Sequence, residues 1–354
     1  MKDRRGIRKA AFSVILLVLL WLPEGPAKGH TEVAENAPVE RFKLSYWLGM
    51  SAPNSHLFEI RIRIDNIKTN TVDVAMPAWS PGRYVIYNFT RNVQEFAARS
   101  ANGNLLTWDK LDKQSWRIDC RGQQTIEVSY KVFANDLSGT FSQLNDQHAN
   151  INGAAVFMYV NGHKQDAIEL KIEKPANWKL ISGAVDHPEQ TEFHFANYDL
   201  LIDTPVEIGD FEVDSFQHDG RSYRVVLHSY TSFNNKSQLL ASLQRIVAAQ
   251  TAICGLPDFT HYTFIFHLAP YAQNTDGMEH LNSTQIIENN LEELIATASH
   301  EFFHVWNVKR IRPVELGPWD YSREVHTKSL WISEGLTSYY GDLSLLRAGV
   351  WSRA

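Results

Sequence analysis

The chain has 354 residues, 44% hydrophobic and 21% charged, with a formal net charge of −6. This composition excludes disordered and collagen-like classes and leaves room for two or three folded domains. The acidic balance argues against nucleic acid as a partner, because no surplus of Lys and Arg is available to replace phosphate counterions. Two cysteines, Cys120 and Cys254, are too few for a disulfide framework, and two buried free thiols are expected rather than a bridge.

The first residues, "MKDRRGIRKAAFSVILLVLLWLPEGPAKGH", set a basic head before an apolar run from Ala10 to Leu22, followed by a helix breaker and small residues. That is the plan of a secretory signal, too short to span a bilayer comfortably. Residues 1–29 therefore read as a signal peptide cleaved after Ala27 or Gly29, and the mature chain as periplasmic or secreted with no membrane span. Cleavage removes six basic and two acidic side chains, leaving a net charge of about −10.

Residues 30–216 read as an all-β sandwich. In "HLFEIRIRID" Phe58, Ile60, Ile62 and Ile64 share one face, the period of two of a half-buried strand. Similar runs recur at "TIEVSYKVF", "AAVFMYV", "AIELKI" and "SYRVVLHSY", separated by turn punctuation such as "NGN", "NDLSG" and "SPGRY". The character changes at the polar joint "YTSFNNKSQ". Beyond it Leu239, Leu240, Leu243, Ile246, Val247 and Ile253 recur at helical spacing, ended by Gly255 and Pro257. "HYTFIFHLA" then alternates as a strand, and a loop containing "DGMEH" leads into a second helix, so residues 217–354 read as α+β.

That helix, in "IATASHEFFHVWNVKRIRP", starts at an Asn290 cap with Glu293 at the third position. With Leu291 at zero and about 100° per residue, Leu294, Ile295, Ala298, Phe302 and Val305 form the core face. His300 and His304 lie together on the opposite side, at about 180° and 220°. A lone buried histidine is ordinarily a satisfied core residue, and a solvated face ordinarily carries Lys and Glu; neither description suits this pair. Two neutral imidazoles one turn apart reach a single tetrahedral zinc ion, with Glu301 beside them free to act as a base. Asn307 and Arg310 exclude the metzincin continuation. The third ligand is left among Glu315, Asp320, Glu324, His326 and Glu334, the last on a second helical segment, "KSLWISEGLTSYYGDLSLL".

Five motifs in order, "AWSPGRYVIYNFTRNVQEF", "LLIDTPVEIGDF", "GMEHLNST", "HEFFHVWNVKRIRP" and "LWISEGLTSYY", resemble the exported glycyl aminopeptidases of the gluzincin clan, whose full members carry a C-terminal PDZ domain. The resemblance implies a thermolysin-like zinc peptidase domain over 217–354, with His300, His304 and Glu334 as ligands of one zinc ion and Glu301 as general base. It implies that Gly277, Met278, Glu279 and His280 line the substrate cleft. Glu279, read alone a surface carboxylate after an Asp276-Gly277 turn, would there receive a peptide's free α-amine. Asp276 stands where a glycine is common. The resemblance further implies that the catalytic domain is incomplete at its C-terminus, without the rest of the helical lobe and the PDZ domain; the oxyanion-stabilising tyrosine of related aminopeptidases lies well beyond the third ligand, and spacing assigns that role to neither Tyr339 nor Tyr340.

The expectation is thus a zinc-dependent aminopeptidase that removes N-terminal glycine or other small residues from peptides. The competing expectation is a non-catalytic, zinc-stapled fragment that binds peptides. With no continuation to cover the last helix, Leu330, Leu336, Tyr340, Leu343 and Leu346 are expected to leave apolar surface open.

Overall fold

The computed structural model describes residues 41–352 apart from 186, 188 and 273; the signal-peptide reading of 1–29 lies outside them. Fourteen strands come first, the longer ones with alternating burial. In chain order they are β1 (Lys43–Gly49), β2 (Leu57–Asp65), β3 (Thr71–Ala75), β4 (Val93–Ser100), β5 (Trp108–Lys110), β6 (Ser115–Asp119) and β7 (Thr125–Phe133), then β8 (Gln143–Leu144), β9 (His148–Ile151), β10 (Tyr159–Val160), β11 (Ile168–Glu173), β12 (Lys179–Ser182), β13 (Glu192–Phe195) and β14 (Val206–Gly209). They form a six-stranded sheet, β13-β11-β1-β2-β7-β4, and two four-stranded sheets, β10-β3-β6-β5 and β12-β14-β9-β8. Phe58, Ile60, Ile62 and Ile64 of β2 are all buried in the core these sheets share, as the period-two pattern requires. The largest sheet is mixed, because β1 runs parallel to β11.

"AAVFMYV", expected as a strand, is instead a short helix α1 (Gly153–Val156) followed by the two residues of β10. An uninterrupted apolar run does not distinguish a buried strand from a buried helical turn. The Asn152 side chain decides locally, accepting from the Ala154 N–H as an N-cap. A second short helix, α2 (Tyr198–Ile202), is capped in the same way by Asn197.

The fourth sheet has the order β15-β16-β17-β19-β18, with β15 (Val213–His218), β16 (Arg221–Ser229), β17 (His261–Leu268), β18 (Asp276–Glu279) and β19 (Ser283–Glu288). The division expected between residues 216 and 217 falls within β15, which pairs with β16. "DGME" is itself an edge strand, β18, antiparallel to β19, and not a turn or loop. Helices α3 (Lys236–Cys254) and α4 (Leu291–Phe303) pack against the sheet around a second core that includes Leu243, Val247, Phe264, Phe266 and Phe302, and α5 (Thr337–Arg347) packs on α3 and α4.

After α4 the chain turns back to the first core, where Leu316, Trp319 and Tyr321 are buried beside Trp79, Tyr159 and Tyr198. Trp79 Nε1 donates to the Asp320 carbonyl (2.7 Å) and Ala78 N–H to the Tyr321 carbonyl (2.8 Å). Residues from Arg41 onward form one compact unit. Both cysteines are free, Cys120 buried and Cys254 half-buried. On the last helical segment Trp331, Leu336, Tyr339 and Leu346 are exposed, whereas Leu330, Tyr340 and Leu343 are half-buried. Among the described residues no helix is long and apolar enough to cross a membrane.

Candidate metal centre

Helix α4 is fixed at its start by Asn290, whose side chain accepts from the Glu293 N–H at 3.0 Å. Leu294, Ile295, Ala298 and Phe302 are buried on its apolar side, against β17 and β19. His300 and Glu301 therefore leave the other side of the helix and His304 follows at its C-terminal end, where the neighbouring segment supplies partners. His304 Nδ1–H donates to the Asn307 carbonyl at 2.9 Å, which leaves the Nε2 lone pair directed inward. That Nε2 lies 3.1 Å from His300 Nε2, and Glu334 Oε2 lies 3.5 Å from each of the two.

Glu334 is carried on a π-helical turn, Trp331–Leu336, that runs directly into α5; such widened turns are commonly found at functional sites. Asn307 pins it. Its side-chain amide donates to the carbonyls of Ile332 and Ser333 and to Thr337 Oγ1, each at 2.9 Å. One residue thus orients His304 through its carbonyl and the third carboxylate through its side chain. The Tyr84 hydroxyl donates to Glu334 Oε1 at 3.4 Å.

The donor set fits a tetrahedral ion. Ligand atoms about 2.0–2.1 Å from a common centre stand roughly 3.3–3.4 Å apart, and the three nitrogens and oxygens here stand 3.1 to 3.5 Å apart. The charge fits as well. Burial would hold His304 neutral, but Glu279, Glu334 and Glu301 outweigh it and raise the imidazole to about 9. Glu334 is held well below the usual carboxylate range: burial opposes this, and the bonds and charges of His300 and His304 outweigh it. The centre is surrounded by carboxylates that call for positive charge.

Two further carboxylates flank the donors. Burial, assisted by Glu279 and opposed by His304 and His300, raises the Glu301 carboxyl to about 7. Glu301 Oε2 and Glu279 Oε1 are both buried without a hydrogen-bond partner among the described residues. Glu279 is buried, contrary to the surface position expected from its sequence alone. Strand alternation in β18 places Gly277 and Glu279 in a cleft of about 290 Å³ with Gly82, Arg83, Thr297, His300, Glu301, His304 and Glu334. Met278 and His280 do not line it. Met278 approaches Gly82 and Gly139 of the β-rich region, and His280 Nδ1 pairs with Asp203 at 3.0 Å.

Of the other third-ligand candidates, Glu315, Glu324 and His326 are exposed, and Asp320 is bonded to Ser322 and Arg323; none joins the donor cluster. The contribution of Gly82, Arg83 and Tyr84 was not expected. They come from "SPGRY", whose only local signal is a turn. Gly82 has φ +87°, and a Cβ there would stand 2.7 Å from Glu279 Oε2, so only glycine lets this loop lie over the cleft. Arg83 pairs with Asp276 and donates to the Gly277 carbonyl at 2.9 Å, tying the loop to the edge strand.

Fold and site together define a class: a strand-rich region joined to a sheet-and-helix region that carries a helix-borne histidine pair, an intervening glutamate and a third carboxylate on the next helix. Two models of one family match the chain, the Peptidase M61 N-terminal domain over residues 45–210 and the M61 glycyl aminopeptidase over residues 293–354. The chain belongs to the M61 glycyl aminopeptidase family. Its structure is similar to that of an aminopeptidase N family protein from Idiomarina loihiensis, with TM-score 0.81 and 26% identity, covering 87% of this chain and 55% of that one. The present chain thus spans little more than half of that relative. A more distant likeness, to an M1 zinc metallopeptidase from Deinococcus radiodurans, has TM-score 0.40 and 11% identity, covers 74% of this chain and 64% of that one, and carries no argument. No curated protein matches significantly.

Proposed function

We propose that the chain is a zinc-dependent aminopeptidase with a thermolysin-like catalytic region. The observation that carries this reading is the pair of unpartnered buried carboxylate oxygens, Glu301 Oε2 and Glu279 Oε1, beside the triangle of His300, His304 and Glu334 donors. Those three residues would hold the ion, which when bound supplies Lewis acidity toward a scissile carbonyl and acidifies a water.

Glu301 lies next in sequence to one donor without belonging to the triangle. Its carboxylate is placed to take a proton from water at its free oxygen and to return it to the leaving amine. The burial that raises Glu301 toward neutrality suits both halves of that exchange. Glu279 offers a second free acceptor in the same cleft. A peptide's α-ammonium, a charge found only at a chain's start, satisfies it by a charge-assisted hydrogen bond, which selects exopeptidase over endopeptidase substrates. Gly82 over Glu279, together with the Arg83–Asp276 pair beside it, limits the room around the first residue, in keeping with glycine or another small side chain there. The leader-like residues 1–29 support export to the periplasm or beyond.

The test is hydrolysis of aminoacyl p-nitroanilides by the intact chain, with a chelated control. Glu301→Gln is expected to retain bound zinc while kcat falls by about 10² or more. Equal loss of metal and activity would assign Glu301 a structural role instead.

A further inference from the structure

A second cluster lies where the third and fourth sheets meet. β9, β14, β16 and β17 bring together His148, Glu207, His228 and His267. His148 is 2% exposed, and Glu207 and His267 are fully buried. Glu207 Oε1 lies 2.8 Å from His148 Nδ1 and 3.0 Å from His228 Nε2, and its Oε2 lies 3.3 Å from His267 Nε2. The three rings stand 5.0 to 5.4 Å apart, centre to centre. Donor atoms of His148, Glu207 and His267 all fall within 4.8 Å of one another, the same test met by His300, His304 and Glu334.

Such a group is either a hydrogen-bonded network around a buried carboxylate or the donor set of a cation. The nitrogens left without aligned partners favour the second. His148 Nε2 lies 2.9 Å from Gln143 Oε1, which can only accept. Nε2 therefore carries a proton, and Nδ1, 2.8 Å from Glu207 Oε1, donates to the carboxylate in the charged ring or turns a lone pair toward it in the neutral one. His228 Nε2 and His267 Nε2 face the same carboxylate at ion-pair distance, 3.0 and 3.3 Å, without the alignment of a good hydrogen bond. Among the described residues neither nitrogen has an aligned hydrogen-bond partner, nor has His267 Nδ1. A buried polar group left unpaired costs roughly 1–3 kcal/mol, so a network built only on hydrogen bonds is a poor account of three such nitrogens. A cation among these rings and the carboxylate supplies the partner that the His228 and His267 nitrogens lack.

We propose that His148, Glu207, His228 and His267 bind a second divalent metal ion of the borderline class that imidazole with one carboxylate selects, with zinc as the expected occupant. His148, Glu207 and His267 supply three donors within reach of one ion, and His228, 3.0 Å from Glu207 Oε1, would complete the sphere on a small turn of its ring, making this a structural centre that clamps β9 and β14 to β16 and β17. His148 and His228 also line a surface cleft of about 410 Å³ with Gln147, Ser229, Tyr230 and Thr231, which gives an ion a way in. Around the donors, Asn150 Nδ2 donates to Glu207 Oε2 at 2.9 Å, and Gln285 Nε2 donates to Asn150 Oδ1 at 2.6 Å. Such outer partners fix the orientation of a ligating carboxylate. Gln285 in turn faces Met278 across the β19–β18 ladder, so the second centre is wired to the strand that carries Glu279.

The experiment uses the full chain carrying His300→Ala and His304→Ala, so that binding at the cleft does not contribute. The protein is stripped with chelator, checked for native circular dichroism and titrated with Zn2+ alone, then with Co2+, whose visible ligand-field bands report coordination by nitrogen and oxygen. One equivalent is expected. Adding Glu207→Gln or His267→Gln should abolish it, and adding His228→Ala, at the rim of the cluster, should weaken it at least tenfold with the fold retained. Zero equivalents in the folded parent variant overturn the proposal. So does an equivalent whose affinity His228→Ala leaves unchanged, a result that stands even if the variants of the two fully buried residues fail to fold. Neither outcome touches the reading of the cleft.

Discussion

Asn307 is the residue on which the geometry of the cleft turns. Its carbonyl fixes the tautomer of His304, and its amide holds the turn that presents Glu334. A side chain of similar size without donors, as in Asn307→Leu, keeps the backbone carbonyl that His304 uses and removes only the amide that supports the turn carrying Glu334. The loss of such outer contacts typically costs about 10–100-fold in metal affinity, and a decrease of that size is expected on titration with zinc. Unchanged affinity would mean that packing of α5 alone holds the turn. Glu279 gives a second test at this scale. Glu279→Ala should leave zinc content intact while free-amine substrates lose most of their kcat/KM, and N-acetylated peptides should be poor substrates of the parent chain. Efficient cleavage of acetylated peptides would mark an endopeptidase and remove Glu279 from its proposed role.

At the scale of elements, legibility followed the range of the forces involved. Helix α4 could be read because its determinants are local: a capping Asn290, an apolar stripe at helical spacing and two histidines on the opposite side. β2 and β7 could be read because one face of each is buried and the other is not. β18 could not. Asp276-Gly277 is a strong turn signal, and only pairing with β19 and the Arg83 bridge hold the segment extended. The π-helical turn under Glu334 has no sequence signature either, since it depends on Asn307, more than twenty residues earlier in the chain. Glu334 itself stayed one of five candidates until resemblance singled it out. The closeness of β18 to α4 has its own consequence. A Cβ on Gly277 would stand 2.4 Å from Glu301 Oε1 and 2.8 Å from Thr297 Cγ2, so one of the two elements must shift or Glu301 must swing away. Gly277→Ala should therefore lower kcat by at least about tenfold, since small displacements of a catalytic group are costly, with zinc still bound. A variant with full activity would show that Glu301 tolerates displacement and is not the positioned base.

For the whole molecule, the question is what keeps the strand-rich region and the sheet-and-helix region in fixed relation, because Gly82 and Arg83 of the first line the cleft with His300, His304 and Glu334 of the second, and Tyr84 of the first bonds Glu334. Part of the answer is apolar, the return of Leu316, Trp319 and Tyr321 to the first core. Part is ionic. Asp203, just beyond α2, pairs with Lys309 Nζ at 2.7 Å and with His280 Nδ1 at 3.0 Å, and Lys309 and His280 belong to the segments that follow α4 and β18. Burial alone would raise the Asp203 carboxyl, but the Lys309 ammonium and the His280 ring outweigh it and hold it below its ordinary value of 3.8. A carboxyl lowered by folding contributes stability that is fully present above the unfolded value and is lost as pH falls through the folded one. The contribution should therefore be constant at neutral pH and disappear in the acid range, beginning below about pH 5. Asp203→Asn should remove that acid-dependent part. At neutral pH the same change leaves Lys309 buried without its partner, a loss of about 3–5 kcal/mol. Urea unfolding followed from pH 7 downward measures both effects. If the variant matches the parent in stability at neutral pH, the buried ion pair contributes nothing to the registration of the two regions, which then rests on their apolar contacts and the hydrogen bonds of Ala78 and Trp79.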